Sequence, residues 1–266
     1  MGAPMVNLVS WNKLTDSLRL GVALSTRVEI EVDRMLRRAL PGRCAFCLAP
    51  SERGAPWCHA CFEALPWNLP ACPGCAEPLP LALSGQRCGR CLRTPPAFAR
   101  ARVPLRYVDE VAWLVRRFKF EASPRAGAVL LALLEDALVA EVHAWPQALV
   151  AVPLHPRRSR ERGFDQAGWL ARRLGRRLGV LCLDAERRRD TPSQRGLDRR
   201  ERRVNLRHAF RVSERLPPRV VVIDDVMTTG ATLEALAQAC RAAGAEEVEA
   251  WAVARTPPTS SAPEAW

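Results

Sequence analysis

The sequence predicts an α/β protein: a mostly parallel sheet flanked by helices, preceded by a small metal-stapled module and a helical leader. Three observations predict it. Eight of the ten cysteines fall into four Cys-x-x-Cys pairs between Cys44 and Cys91. From about Ala97 onward, short apolar runs of strand length alternate with stretches of helical periodicity, which is the pattern of βαβ units. One of those runs, Val220 to Ile223, leads into two carboxylates, Asp224 and Asp225, then a Thr- and Gly-rich loop ahead of a helix.

Taken in order, residues 1–42 form the leader. Leu18, Val22, Val28, Val32, Met35 and Leu36 fall loosely at helical spacing, and Pro41-Gly42 ends the run. Residues 43–96 are rich in cysteine, proline and glycine. Such a segment cannot build an apolar core and needs a staple. Residues 97–256 carry the α/β pattern. Arg102 to Tyr107 reads as a strand, and Asp109 to Phe120 as a helix with Val111, Leu114, Val115 and Phe118 on one face. Ser123-Pro124 starts the next helix, and Ala148 to Leu154 is a buried strand. Asp165 to Leu178 is a helix ended by Gly179. Arg187 to Leu206 reads as a mobile polar loop. Val220 to Ile223 is a strand, Thr232 to Ala243 a helix with Gly244 as its C-cap, and Val248 to Ala254 the last strand. The tail, residues 257–266, is Pro/Ser-rich and expected to be disordered.

No apolar stretch is long enough to span a bilayer. The longest, Ala126 to Val142, is broken by Glu135, Asp136 and Glu141 and reads as a buried helix. The N-terminus lacks a basic start, an unbroken apolar core and a small-residue cleavage site, so a cytoplasmic protein is expected. In that compartment thiols stay reduced, which favours metal over disulfides.

The pairs are Cys44/Cys47, Cys58/Cys61, Cys72/Cys75 and Cys88/Cys91, separated by ten, ten and twelve residues. A Cys-x-x-Cys turn sets two thiolates on one side of a tight loop, and two turns complete a tetrahedral sulfur site. Eight thiolates make two such sites for zinc, paired either sequentially or in interleaved fashion. Each metal then has four protein ligands and no open position, so both zincs are structural. His59 is read as a bystander, and Cys182 and Cys240 as core residues.

The net charge of +12 is concentrated. Residues 155–219 hold 20 arginines against eight acids, and the rest of the chain is balanced. Such a segment attracts phosphates, whether of a small molecule or of a nucleic acid.

The stretch from Val220 to Thr232 has the chemistry of a phosphorylated-sugar site. Carboxyl ends of parallel strands are where open α/β sheets bind ligands. Backbone N–H groups at a helix N-terminus bind phosphate. Hydroxyls of Thr228, Thr229 and Thr232 add donors, and Gly230 permits close approach. Asp224 and Asp225 can accept hydrogen bonds from two ribose hydroxyls, and a bridging Mg²⁺ favours nearby carboxylates. No Walker-type Gly-x-x-x-x-Gly-Lys-Ser/Thr is present.

These thirteen residues resemble the phosphoribosyl pyrophosphate signature of type I phosphoribosyltransferases. The wider chain, from about Cys44 to Arg255, resembles the ComF (competence protein F) family of amidophosphoribosyltransferase-like proteins. The likeness rests on the cysteine pairs, Arg117-Phe118-Lys119-Phe120, Val152-Pro153-Leu154-His155-Pro156, Arg162-Gly163-Phe164-Asp165-Gln166 and the segment Gln194 to Phe210. Asp165 stands where the family usually has Asn. The resemblance implies a type I phosphoribosyltransferase-like domain binding phosphoribosyl pyrophosphate with Mg²⁺. Asp224 and Asp225 would be its catalytic, ribose-holding pair, and Val226, Met227, Thr228, Thr229, Gly230, Ala231 and Thr232 its 5′-phosphate loop. His155, Arg157, Arg158, Arg162 and Lys119 are candidate pyrophosphate contacts, and Arg187 to Arg207 a candidate lid. It implies a link to DNA uptake in natural transformation, with single-stranded DNA and the uptake machinery as partners. The alternative is a single-stranded-DNA-binding competence protein without transferase turnover. Nothing in the sequence defines an acceptor pocket. The first cysteine is Cys44, in the metal module, so the N-terminal nucleophile of a glutaminase is not expected.

Overall fold

The computed structural model describes residues 42–51, 55–141, 146–154, 164–187 and 209–257. The leader, His155, Arg157, Arg158, Arg162, the arginine-rich loop beyond Arg187 and the tail lie outside the described residues. The chain divides into two compact units between His59 and Ala60.

In the first unit, the Cys44/Cys47 turn is a small knuckle. Cys44 N–H donates to the Ala49 carbonyl (2.8 Å) and Leu48 N–H to the Cys44 carbonyl (3.1 Å), while Arg43 bridges Pro50. Closing so tight a loop puts Leu48 in the left-handed region at φ 64°.

The second unit repeats this geometry. Cys72 N–H donates to the Glu77 carbonyl (2.8 Å) and Ala76 N–H to the Cys72 carbonyl (2.7 Å), with Ala71 bridging Pro78 and Ala76 at φ 52°. The second half of each ribbon is a short helix: α1 (His59–Glu63) and α2 (Gly89–Arg93).

The sheet follows. β1 (Arg100–Arg102) and β2 (Leu105–Arg106) both pair in parallel with the last strand. The single strand expected over Arg102 to Tyr107 is thus two short pieces, separated at Val103-Pro104, where proline has no N–H for a ladder. Helices α3 (Asp109–Phe120) and α4 (Pro124–Glu141) lead to β3 (Ala148–Ala151), which ends three residues before Leu154. α5 (Gln166–Leu178) has Asp165 as N-cap, accepting from Gly168 N–H at 3.1 Å, and Gly179 as a left-handed C-cap. β4 (Leu181–Leu183) is a strand that periodicity did not reveal. So is the antiparallel pair β5 (Glu186–Arg187) and β6 (Phe210–Arg211), which takes Arg187 out of the expected loop. β7 (Arg219–Met227), α6 (Ala231–Ala242) and β8 (Glu247–Arg255) complete the chain.

The strand order is β1-β8-β7-β3-β4, with every pairing parallel. β7 is flanked on both sides, and Val220 to Ile223 are buried with exposures of 1% or less, which explains its unbroken β-branched run. The strand continues through Asp224 and Asp225 to Met227 rather than stopping at Ile223, because β8 pairs with it that far. α6 begins at Ala231, and its C-cap is Ala243, with Gly244 following at φ 103°. The predicted apolar face of α3 is buried in full. Cys240 is a core residue, with burial pushing its thiol up to about 12, but Cys182 is exposed on β4 and not in the core.

Candidate functional site

The cysteines gather sequentially. Cys44, Cys47, Cys58 and Cys61 form one group, and Cys72, Cys75, Cys88 and Cys91 another, with all sulfurs of a group within 4.8 Å of one another. A tetrahedron with metal–sulfur bonds of about 2.3 Å has edges of about 3.8 Å. Cys47 Sγ lies 3.7 Å from Cys58 Sγ, and Cys75 Sγ 3.6 Å from Cys88 Sγ. The donor sets therefore fit zinc. Burial pushes the Cys44 thiol up, but the backbone N–H groups of Cys47, Phe46 and Cys58 outweigh it and bring it down to about 6. Such a group is ready to bind metal as thiolate.

The carboxylate pair lies at the carboxyl end of β7. Asp225 is buried and Asp224 half-buried. Asp224 Oδ1 accepts from Asp225 N–H at 2.8 Å. Lys119, in the last turn of α3, places Nζ 3.0 Å from Asp225 Oδ1. Burial opposes the lysine's charge, but the Asp225 and Asp224 carboxylates outweigh burial and hold it above the ordinary lysine range. Burial and the adjacent Asp225 push Asp224 up to about 8, against the opposing pull of Lys119 and of the Asp225 N–H.

The loop after β7 is shaped for close approach. Gly230 is the N-cap of α6 at φ 81°, and a Cβ there would come within 2.8 Å of Met227 Cε. Gly230, not a threonine, therefore caps the helix. Thr229 contributes instead through Oγ1, which accepts from Ala231 N–H at 3.3 Å. By position, the first N–H groups of α6 have no partner within the helix.

The second ribbon borders this loop. Arg255, only 1% exposed, donates to the Met227 carbonyl (3.0 Å) and to Glu77 Oε2 (2.7 Å), two residues after Cys75. Arg90, inside the last Cys-x-x-Cys, donates to the Thr229 carbonyl at 3.5 Å and lies 3.8 Å from the same Glu77 carboxylate. A small cleft between ribbon and loop is lined by Cys75, Arg90, Cys91, Phe98, Thr229 and Glu234.

Of the sequence candidates, the structure brings together Lys119, Asp224 and Asp225, followed by Val226 to Thr232. Sequence reasoning missed Arg90, Glu77 and Arg255. No local signal could find them, because the links that tie the ribbon to the sheet and loop, Arg90 to Thr229 and Arg255 to Glu77, each join residues more than a hundred positions apart. It also missed Trp113 and Phe120, exposed on α3 at 44% and 61%, with Arg117 stacked 5.0 Å from the Trp113 ring. The complement of the predicted apolar face was the signal for them.

Among the described residues no helix is long and apolar enough to cross a membrane. The double zinc ribbon domain family matches residues 35–92, and the phosphoribosyl transferase domain family residues 161–266. Sheet, cysteine groups and loop together define a zinc-ribbon protein with a phosphoribosyltransferase-like α/β domain. The chain is 35% identical to Competence protein F of Haemophilus influenzae over 74% of this chain and 90% of that protein. It is also 35% identical to DNA utilization protein YhgH of Escherichia coli K12, over 82% of this chain and 98% of that protein. Competence protein ComFC of Streptococcus pneumoniae matches at 30% over 40% of this chain and 47% of that protein. The chain belongs to the ComF (competence protein F) family. Among solved structures, orotate phosphoribosyltransferase from Aeropyrum pernix overlays 56% of this chain and 78% of that chain at 20% identity, with a TM-score of only 0.35.

Proposed function

We propose that this protein binds phosphoribosyl pyrophosphate with Mg²⁺ in the cytoplasm, in the service of DNA uptake. The observation that carries this reading is the Asp224/Asp225 pair at the carboxyl end of β7, followed by a loop that opens onto the α6 N-terminus. Asp224 and Asp225 accept hydrogen bonds from the ribose hydroxyls. Hydroxyls of Thr228, Thr229 and Thr232 and the first amides of α6 hold the 5′-phosphate, with Val226, Met227, Gly230 and Ala231 shaping the loop. Asp224 and Asp225 are the residues that would hold Mg²⁺, which would supply positive charge to stabilise a pyrophosphate leaving group. Lys119, paired with Asp225, is a candidate contact for the pyrophosphate, and His155, Arg157, Arg158 and Arg162 are the further candidates.

The test is calorimetric titration with phosphoribosyl pyrophosphate and Mg²⁺, beside the double variant Asp224→Asn/Asp225→Asn. A micromolar affinity, about −8 kcal/mol, that vanishes in the variant supports the reading. No binding by folded, zinc-loaded protein overturns it. Release of pyrophosphate on adding candidate acceptors then separates an active transferase from a binding protein.

A second reading, single-stranded DNA binding without turnover, draws on the exposed Trp113 and Phe120 of α3, with the guanidinium of Arg117 over the Trp113 ring. Aromatic faces next to guanidinium groups are stacking platforms for bases. Trp113→Ala should then weaken binding of a labelled oligonucleotide about tenfold, at roughly 1–3 kcal/mol per stacked base. An unchanged affinity removes this surface from consideration.

A further inference from the structure

The second ribbon does more than fold. We propose that it is a positioning device for the loop at residues 227–229, with Arg90 as the residue that transmits zinc occupancy to that loop. The inference rests on the reading of residues 228–232 as a phosphate loop.

Two arms run from the ribbon to the loop. The first starts at Glu77, two residues after Cys75, passes through the buried guanidinium of Arg255, and ends on the Met227 carbonyl, where the loop leaves β7. The second is Arg90 itself, between Cys88 and Cys91, reaching the Thr229 carbonyl two residues further on. Both arms meet at Glu77 Oε2, at 2.7 Å from Arg255 and 3.8 Å from Arg90. A third link runs from just beyond the ribbon: Ala97 N–H donates to Glu234 Oε2 at 2.9 Å, in the first turn of α6. The ribbon is also fixed to the sheet. Pro73 accepts from Ala101 N–H at 3.0 Å, and Asn68 Nδ2 reaches the carbonyls of Ala76 and Val103, each at 3.0 Å.

Position explains why Arg90 senses the metal. It stands between two ligands, Cys88 and Cys91, and lines the same small cleft as Cys75 and Cys91, so closure of the zinc-bound turn sets where its guanidinium lies. With metal bound, the guanidinium is held between the sulfur cluster, Glu77 and Thr229. When the metal leaves, the turn that carries Arg90 is no longer held closed, and the arm loses its anchor. A loop whose amides must point at a phosphate loses affinity when its carbonyls are released. Linkage makes the effect reciprocal, so ligand on the loop must tighten zinc in this ribbon.

The test uses the full zinc-loaded chain and Arg90→Met, which removes the arm and keeps all eight ligands. Three readouts are taken: zinc per chain, the affinity for phosphoribosyl pyrophosphate with Mg²⁺, and hydrogen exchange of amides 228–232. We expect two zincs per chain in both proteins, about tenfold weaker binding in the variant, and about tenfold faster exchange of the loop amides. In the wild type the ligand should slow release of one of the two zincs to a chromogenic chelator severalfold, and Arg90→Met should abolish that protection. If Arg90→Met loses zinc or fails to fold, Arg90→Lys keeps the charge and shortens the fork, and should give the same signs. Unchanged loop exchange in a zinc-loaded variant overturns the proposal, whether or not the wild type binds the ligand. Absence of wild-type binding with altered loop exchange overturns only the phosphate reading.

Discussion

The two ribbons are built alike and embedded differently. Each has a knuckle with a residue in the left-handed region just after its second cysteine, a short bridge to a proline, and a Cys-x-x-Cys at a short helix. In the first, Cys47 is exposed and Leu48 is 61% exposed. In the second, Cys72, Cys75 and Cys91 are buried, and Ala76 is 2% exposed within the main core cluster. Cys44 is buried in the first ribbon too, but the knuckle tip there faces solvent, whereas in the second it is part of the domain's packing. Zinc in the second ribbon should matter to the fold and the loop, whereas zinc in the first should matter mainly to its own knuckle.

The largest expected effect breaks this comparison most directly. Cys91→Ser should remove one zinc and destabilise the α/β domain by on the order of 5 kcal/mol, a fraction of the roughly 10–16 kcal/mol of a structural zinc site. Cys47→Ser should remove the other zinc and shift the same unfolding transition far less. Zinc analysis with thermal melts checks both, and equal shifts would erase the distinction. Next, Arg255→Met removes the buried guanidinium's contacts to Glu77 and the Met227 carbonyl together and should cost about 3 kcal/mol, read as a lower urea midpoint at unchanged slope. A smaller contrast lies in the knuckles. Ala76→Val adds β-branching at a left-handed residue to overpacking, about 1–3 kcal/mol, whereas Leu48→Val adds only the β-branching at an exposed knuckle and should cost less.

A further expected effect is a pH slope at the strand whose end Arg255 holds. Asp224 has its carboxyl raised from 3.8 to about 8. Unfolded chains lose this proton near pH 4, while the folded chain keeps it until about 8. This group's contribution to stability is therefore greatest below pH 4, declines as pH rises to about 8, and is flat above. Asp224→Asn should remove that slope from urea midpoints measured between pH 5 and 8.5. Lys119→Met should move its upper end higher, because the ammonium opposes the rise. An unaltered slope in Asp224→Asn would assign it to other groups.

The periodicity of Asp109 to Phe120 gave its helix and all of its buried face but Ala112, because amphipathic spacing is set by the core it faces. The β-branched run at Val220 to Ile223 marked a doubly flanked strand, but not its continuation through the acids, since ladder pairing with β8 carries it on. β4 was invisible because its three residues are largely exposed and show no alternation. At the site, Asp224, Asp225 and the Thr/Gly loop were legible as a pattern. The placing of Lys119 on Asp225 was not, because 106 residues separate them.

What the sequence by itself determined is the local chemistry: eight thiolates in four tight turns, a carboxylate pair at a strand end, and a glycine in the loop that follows it. These follow from spacing and from short-range sterics, which neighbours along the chain dictate. Only the tertiary structure decided which cysteine pairs share a metal, that one ribbon is absorbed into the domain, and that Arg90, Glu77 and Arg255 tie it to the loop. Those outcomes depend on which distant segments the sheet brings within hydrogen-bond range, and a linear pattern carries no measure of that distance.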